Sequence, residues 1–266
     1  MHWLSLKRVA QFLVCVVFCL PSTSICVARQ TSSVQSSVES APLTVDAVVG
    51  RMEARNRERA AALRKYEGTR IYRMQYRGFF GSHDAEMIVS VKASPQGKQF
   101  TVESQSGSKF IIDHVFKKLL DGESEATTEE ARQRTALDSR NYDFTLVDVD
   151  KSSGDPEYVL NVTPRTGEKY LYRGKIWVDS KDFAVARIEA EPAKNPSMWI
   201  KKTAINHKYE KLNDFWLPAE NRTDSWIRLG GHALLSIEYR EYRITEATPL
   251  NVSASVPYER EPTSGR

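Results

Sequence analysis

The chain has 266 residues, of which 41% are apolar, 10% aromatic and 27% charged, with 38 Lys+Arg against 34 Asp+Glu. These values are typical of a globular protein and exclude a collagen-like repeat or a wholly disordered chain. A mean hydropathy of −0.47 also excludes a membrane protein with several helical spans of ~20 apolar residues. The length fits one or two domains.

The first 28 residues have the pattern of a secretory signal peptide. Lys7 and Arg8 precede an apolar run over residues 9–20, and small residues precede a cleavage point after Ala28. The run is too short to cross the ~30 Å hydrocarbon core of a bilayer. We therefore expect residues 1–28 to be removed from an exported protein, the alternative being an uncleaved N-terminal anchor.

All the cysteines lie within this segment, at Cys15, Cys19 and Cys26. The mature chain would then have no disulfide, no zinc–thiolate site and no cysteine nucleophile, so its stability must come from its core. It keeps 36 basic and 34 acidic residues. This near balance lacks the basic excess of a nucleic-acid-binding protein, and we expect no nucleic-acid partner.

A helix is predicted after a Ser-rich segment, residues 29–42, which we expect to be a disordered linker. Thr44 is a suitable N-cap, and Tyr66 is predicted to be the last helical residue before Gly68. The apolar residues at helical spacing are Val45, Val48, Val49 and Met52. The basic second half, RNRERAAALRK, is predicted to be a solvated face, with a surface for anionic lipid or a partner as the alternative.

After Gly68 the apolar residues follow a period of two, which predicts strands with one dry and one wet face. The dry sides of the first strands contain Tyr72, Met74 and Tyr76, then Met87, Val89 and Val91, then Phe100 and Val102. Residues 113–138 interrupt this pattern with a helical insertion. Further strands follow, for ten or eleven in one domain over residues 43–246, and residues 247–266 are predicted to be a disordered tail.

The predicted fold class is mainly β with α. Ten or more antiparallel strands in a flat open sheet would expose their edges or a large apolar face, so we expect a curved, half-open barrel. The N-terminal helix and the helical insertion are the predicted elements able to cover its concave face, since the other connections are short.

Two segments have a pattern typical of one protein family. In YLYRGKIWVDSKDFAVARIEAEPA, an aromatic-rich strand enters Trp-Val-Asp and a short turn, and the next strand contains Arg187 and Glu189. Residues 213–218, Asn-Asp-Phe-Trp-Leu-Pro, supply a second turn. Over residues 44–245 the chain resembles the outer-membrane lipoprotein-sorting proteins, which have the fold of the periplasmic lipoprotein carrier.

This resemblance implies a function as well as a fold. In that family a curved, incomplete barrel has an apolar concave face closed by helices, and the carriers sequester the acyl chains of a lipoprotein there. It therefore implies a periplasmic protein that binds lipid or lipoprotein acyl chains. The residues on the dry side that would bind them are Tyr72, Met74, Met87, Val89, Phe100, Val102, Leu160, Val162, Tyr172, Ile176, Ile188 and Ile237.

A second function class stays open, because any curved sheet needs a core. The same apolar residues then form that core, and the protein is an envelope sensor or interaction module that binds a protein partner. Family members of this architecture include membrane-stress sensors that bind a regulatory partner.

The mature sequence contains no HExxH, GxSxG, Gly-rich phosphate loop or Cys-x-x-Cys. Two histidines have an acidic neighbour, His83 beside Asp84 and His114 beside Asp113. Adjacent residues of a strand point to opposite faces, so such neighbours do not predict a metal or acid–base site. We expect no enzymatic activity, no catalytic residue, no cofactor and no metal site.

Overall fold

The computed structural model describes residues 43–250, except residues 80, 126–128, 153, 169, 196–197 and 229. The predicted signal peptide, the predicted linker and residues 251–266 of the predicted tail lie outside the described residues. Within the described residues, no helix has the length and apolar character needed to span a membrane.

The described part of the chain forms an N-terminal helix, ten strands and a helical insertion between the third and fourth strands. The helical elements are α1 (Val45–Ala62), α2 (Lys109–Ile111), a π-helical turn (Ile112–Phe116), α3 (Lys117–Glu125) and α4 (Glu129–Thr135). The strands are β1 (Leu63–Gly78), β2 (Gly81–Ser94), β3 (Gly97–Gly107), β4 (Tyr142–Asp150), β5 (Glu157–Pro164), β6 (Tyr172–Asp179), β7 (Val185–Pro192), β8 (Ile200–Leu212), β9 (Phe215–Ile227) and β10 (Gly231–Ala247).

These strands form one antiparallel sheet in the order β3-β2-β1-β10-β9-β8-β7-β6-β5-β4. Strands joined by short connections are neighbours, whereas β3 and β4, which the helical insertion connects, lie at opposite edges. Strand β1 pairs with β10, the first strand with the last. The edges are β3 and β4, so the sheet is not closed into a barrel. The predicted fold class, mainly β with a helix and a helical insertion, is confirmed.

Helix α1 begins where the sequence predicts and ends four residues earlier. Thr44 is the N-cap, and its Oγ1 accepts a hydrogen bond from the Ala47 backbone N–H at 3.3 Å. Residues 63–66 are already in β1, where Lys65 is opposite Glu246 of β10 and forms an ion pair with it. The prediction that the helix extends to Tyr66 is wrong, because pairing with a distant strand outweighs the local helical pattern.

Gly68 is inside β1 rather than at a helix end. The register with β10 shifts between Glu67 and Thr69, and a Cβ at Gly68 would lie 3.0 Å from the Tyr242 ring. The missing side chain thus allows the aromatic ring to approach the backbone at an irregularity of the strand.

The helical insertion begins at a glycine that ends β3. Gly107 has φ +88°, and a Cβ there would lie 2.2 Å from the Asp84 carbonyl oxygen. This turn therefore requires glycine. The described helical elements cover residues 109–125 and 129–135, compared with the predicted residues 113–138.

Two apolar clusters form most of the core. The insertion cluster joins β1, β2 and β10 to the helical insertion and includes Tyr72, Met74, Met87, Val89, Ile111, Ile112, Val115, Phe116, Leu119, Leu120, Leu235 and Ile237. The helix cluster joins α1 to β4–β7 and includes Val48, Val49, Met52, Tyr142, Leu160, Val162, Leu171, Tyr172, Ile176, Val178, Phe183 and Ile188. Each half of the sheet thus has its own helical cover.

The last described residues, 248–250, pack on the end of α1. The Thr248 backbone N–H donates to the Ala62 carbonyl at 2.9 Å, and Leu250 packs against a small cluster formed by Ala62, Phe215 and Leu217. The first residues of the predicted tail are therefore in contact with the domain.

Candidate ligand-binding face

The strand register aligns one residue from each of eight neighbouring strands. In order from β2 to β5 these residues are Met87, Tyr72, Ile237, Asn221, His207, Ile188, Ile176 and Leu160, which we call the central row. Residues paired across antiparallel strands share a face of the sheet. The row therefore crosses the inner face, and six of its eight residues belong to the predicted binding set.

The predicted binding residues divide between the two clusters. Tyr72, Met74, Met87, Val89 and Ile237 are buried in the insertion cluster, with half-buried Phe100 packed against it. Leu160, Val162, Tyr172, Ile176 and Ile188 are buried in the helix cluster. Eleven of the twelve thus lie in or against an apolar cluster, although they do not form one continuous patch.

Val102 is the exception, with 42% of its surface exposed, so its assignment to the dry side of a strand is not matched. Its partner in β2, Val89, is fully buried. Because β3 is an edge strand, Val102 has a neighbouring strand on one side only. The register between β2 and β3 also shifts next to this pair, which leaves Glu103 as an extra residue in β3.

Buried polar residues lie between the two apolar clusters, on β8 and β9. They are Thr203, His207, Asn221, Thr223 and Ser225, which we call the polar stripe. Thr203 is paired with Ser225, and their hydroxyl oxygens are 3.2 Å apart. Sequence analysis missed this stripe, although polar residues at every second position of β9, from Asn221 to Ser225, were the available signal.

The polar stripe contains no formal charge at neutral pH. Burial lowers the pKa of His207 to about 4, although the Asn221 side chain acts in the opposite direction, so the imidazole is neutral at pH 7. Asn221 is 3% exposed, and neither its Oδ1 nor its Nδ2 has a hydrogen-bond partner among the described residues. The stripe therefore offers neutral donors and acceptors within a buried site.

A buried ion cluster connects the helical insertion to the sheet. Glu123 of α3 accepts hydrogen bonds from the guanidinium of Arg70 on β1 and, at 2.5 Å, from Nζ of Lys98 on β3. Burial alone would raise the pKa of Glu123, but the two cations outweigh it and lower the pKa to about 2. The rings of Phe100 and Tyr239 lie 5.4 and 5.1 Å from the guanidinium. The cluster keeps the insertion over the inner face.

The turn between β6 and β7 contacts helix α1. Asp179 Oδ1 accepts the backbone N–H groups of Lys181 and Asp182 at 3.0 and 2.6 Å, which stabilises the turn. The Arg59 guanidinium of α1 donates to the carbonyl oxygens of Asp182, at 2.8 Å, and Phe183, at 3.2 Å. Arg59 is therefore not on a solvated face as predicted, and its burial lowers its pKa to about 10.

The motif residues of this region have structural contacts. Trp216 Nε1 donates to Asp182 Oδ2 at 2.9 Å, and the Arg187 guanidinium lies 3.8 Å from the centre of the Trp177 ring. The two segments that resemble the lipoprotein-sorting family thus meet at the turn on which α1 is anchored.

The acidic neighbours of His83 and His114 form ion pairs with other residues. Asp84 pairs with Arg77, and Asp113 pairs with Lys117 at 2.7 Å. Within the described part of the chain, no group of three or more His, Cys, Asp or Glu residues has the arrangement of a metal site. These side chains are therefore engaged in surface ion pairs.

Comparison with known proteins identifies similar folds. No protein-family model matches the chain, and no curated protein sequence matches it. Among solved structures, an outer membrane lipoprotein-sorting protein domain from Vibrio parahaemolyticus is 11% identical, covers 74% of this chain and 91% of its own, and has a TM-score of 0.38.

Two other matches extend this comparison. A LolA superfamily protein from Nitrosomonas europaea is 9% identical, with 78% and 96% coverage and a TM-score of 0.33. A chain of the Pseudomonas aeruginosa MucA/MucB complex is 11% identical, with 76% and 98% coverage and a TM-score of 0.25. The resemblance to lipoprotein-sorting proteins is confirmed as a similarity to solved structures of that group, and it concerns the fold alone.

Proposed function

We propose that this protein is an exported periplasmic protein that binds the acyl chains of a lipid or lipoprotein on its inner sheet face, without catalysing a reaction. The observation that carries the proposal is the distribution of apolar residues: both halves of this face are apolar, and each is covered by helices rather than by a second sheet. Because the helices are not part of the strand ladder, they can separate from the sheet without breaking strand pairing.

The driving force for such binding is hydrophobic. Removal of an acyl chain from water contributes about 0.8 kcal/mol for each buried methylene, so a chain of a dozen carbons needs no specific polar contact to bind. Met74 and Met87 in the insertion cluster suit this role, because unbranched, polarisable side chains adapt to ligands of different shape.

The first test is native mass spectrometry, with organic extraction, of protein purified from a periplasmic fraction without detergent. We expect a phospholipid or an acylated protein to copurify at near-unit stoichiometry. A mass equal to that of the free chain, together with no binding of N-phenyl-1-naphthylamine, would contradict the carrier function.

A substitution tests whether the ligand occupies the insertion cluster. Val89→Asp places a carboxylate among apolar groups, and we expect it to abolish uptake of N-phenyl-1-naphthylamine, measured by fluorescence. The matched control is Val147→Asp, because Val147 is 50% exposed on the edge strand β4. If Val89→Asp does not fold, the isosteric Val89→Thr replaces it, with a several-fold weaker uptake expected. Unchanged uptake by a folded variant would argue against this site.

The alternative is a sensor or interaction module that binds a protein partner. Met87 and Val89 are fully buried, which favours an inner face that serves as the core. That alternative predicts that the protein neither copurifies with lipid nor takes up the fluorescent probe, so the same two measurements separate the functions.

A further inference from the structure

The polar stripe divides the apolar inner face at its centre. In the central row, the Asn221–His207 pair is flanked by Ile237 on one side and Ile188 on the other, and these belong to the insertion cluster and the helix cluster respectively. A molecule that covers both clusters must therefore present a polar group to β8 and β9.

Asn221 lacks the hydrogen bonds that a buried amide needs. Its Oδ1 and Nδ2 have no hydrogen-bond partner among the described residues, and its two cross-strand neighbours are an isoleucine and a neutral histidine. Nearly all buried polar groups in folded proteins are hydrogen-bonded, since an unpaired one destabilises the fold. An unpaired donor and acceptor on a binding face therefore indicate a group supplied by a ligand.

The charge of the stripe restricts the chemistry of that group. Its side chains are three hydroxyls, one amide and an imidazole that burial keeps neutral. A buried anion such as a phosphate or carboxylate would need a cation to compensate for its desolvation, and the stripe contains none. An uncharged carbonyl or hydroxyl, by contrast, pairs directly with an amide.

We propose that the polar stripe, with Asn221 at its centre, is the subsite for the uncharged ester group of an acyl ligand whose hydrocarbon lies against the flanking apolar clusters. This inference rests on the proposed function and adds the position and chemistry of the ligand's polar part. Asn221 Nδ2 would donate to the ester carbonyl oxygen, and Oδ1 would accept from a free glycerol hydroxyl next to it.

The test compares two probes with the same chain length. Monolaurin has an ester and two hydroxyls on a twelve-carbon chain, whereas dodecane has the chain alone. Binding of each to the purified protein is measured by displacement of N-phenyl-1-naphthylamine. We expect Asn221→Leu to weaken monolaurin binding roughly tenfold, in keeping with the loss of hydrogen bonds in a buried site, and to leave dodecane binding unchanged.

The matched control is Asn206→Leu, which changes the same residue type on β8 next to His207 but on the other face of the sheet. It should affect neither probe. Equal effects of Asn221→Leu on both probes, or no effect on either, would overturn the subsite while leaving acyl binding intact. Failure of both probes to bind the unmodified protein would refute the proposed function, and the subsite with it.

A second measurement does not depend on a variant. Monolaurin should shift the imidazole ¹⁵N resonances of His207 in the unmodified protein, because this ring is opposite Asn221, and dodecane should not. Unshifted resonances at saturating monolaurin would overturn the inference and would identify the stripe as a site for internal water alone.

Discussion

His207 shows how burial determines the state of a single residue on the inner face. Its ring is fully enclosed on β8, between Ile188 of β7 and Asn221 of β9 in the strand register. Burial lowers its pKa to about 4 from an ordinary value of 6.5, because no acidic group of the stripe stabilises the imidazolium form. The folded protein therefore binds a proton at His207 less tightly than the unfolded chain does.

This difference predicts an acid-sensitive stability. Below pH 6.5 the unfolded chain takes up a proton at His207 that the folded chain does not, so the free energy of unfolding should fall between about pH 6.5 and 4, by at most about 3 kcal/mol. Urea titrations across this range would measure the loss. His207→Leu should remove the loss above about pH 5, where carboxylates are still ionised in both states, whereas His83→Gln, at an exposed position, should leave the profile unchanged. A slope above pH 5 that persists in His207→Leu would assign the effect to other groups.

The helical insertion depends on an ion cluster that only tertiary structure brings together. Glu123 of α3 is enclosed with Arg70 and Lys98, which come from two different strands. Desolvation of three charged groups costs free energy that their mutual attraction must offset, so the net stabilisation by the cluster is small. Loss of one member is nevertheless costly, because it leaves buried charge without compensation. It fixes where the insertion lies on the sheet.

Glu123→Gln should therefore be strongly destabilising. It keeps the shape of the side chain but leaves the Arg70 guanidinium buried without an anion, and it removes the carboxylate that keeps Lys98 protonated although burial lowers the pKa of Lys98 to about 7. We expect a cost of about 3–5 kcal/mol. Asp113→Asn, in the exposed pair with Lys117 on the same insertion, should have a far smaller effect because solvent screens that pair. Chemical denaturation of the two variants gives the comparison, and equal small losses would show that the buried cluster does not hold the insertion.

The last turn of helix α1 is held by the turn between β6 and β7. Arg59 donates to two carbonyl oxygens of this turn, and Trp216 on β9 donates to Asp182 within it. One turn therefore connects the helix to both the edge half and the middle of the sheet. The two segments that resemble the lipoprotein-sorting family thus contain residues that hold helix α1 against the inner face.

At the scale of the whole molecule, the described residues form a single open sheet with two covered apolar halves and the polar stripe between them. The insertion covers the strands around β1, and α1 covers β4–β7. The strands between them, β8 and β9, bear the polar stripe. From β2 to β5 the inner face is therefore apolar, then polar, then apolar again. This is the pattern expected for a ligand with apolar ends and a polar centre.

The sequence predicts the strands and the two covers well, because alternation of dry and wet residues and helical spacing are local patterns. It does not predict the end of α1 at Ala62, which depends on pairing between Lys65 and Glu246. Likewise, the partners of Glu123 and the position of Asn221 opposite His207 depend on strand register between distant segments. The apolar residues of the inner face are thus predictable as a set, whereas the pairing of their polar neighbours is not.

The polar stripe should lower the free energy of unfolding of the ligand-free protein. Asn221→Leu replaces an unpaired buried amide by an apolar group of similar size and would join the two clusters, so we expect about 1–2 kcal/mol of added stability. For a protein of this size, that corresponds to a rise in Tm of roughly 2–8 °C, measurable by calorimetry. Asn206→Leu on the opposite face should not raise the Tm. A destabilised Asn221→Leu variant would instead show that the amide makes hydrogen bonds that the fold requires.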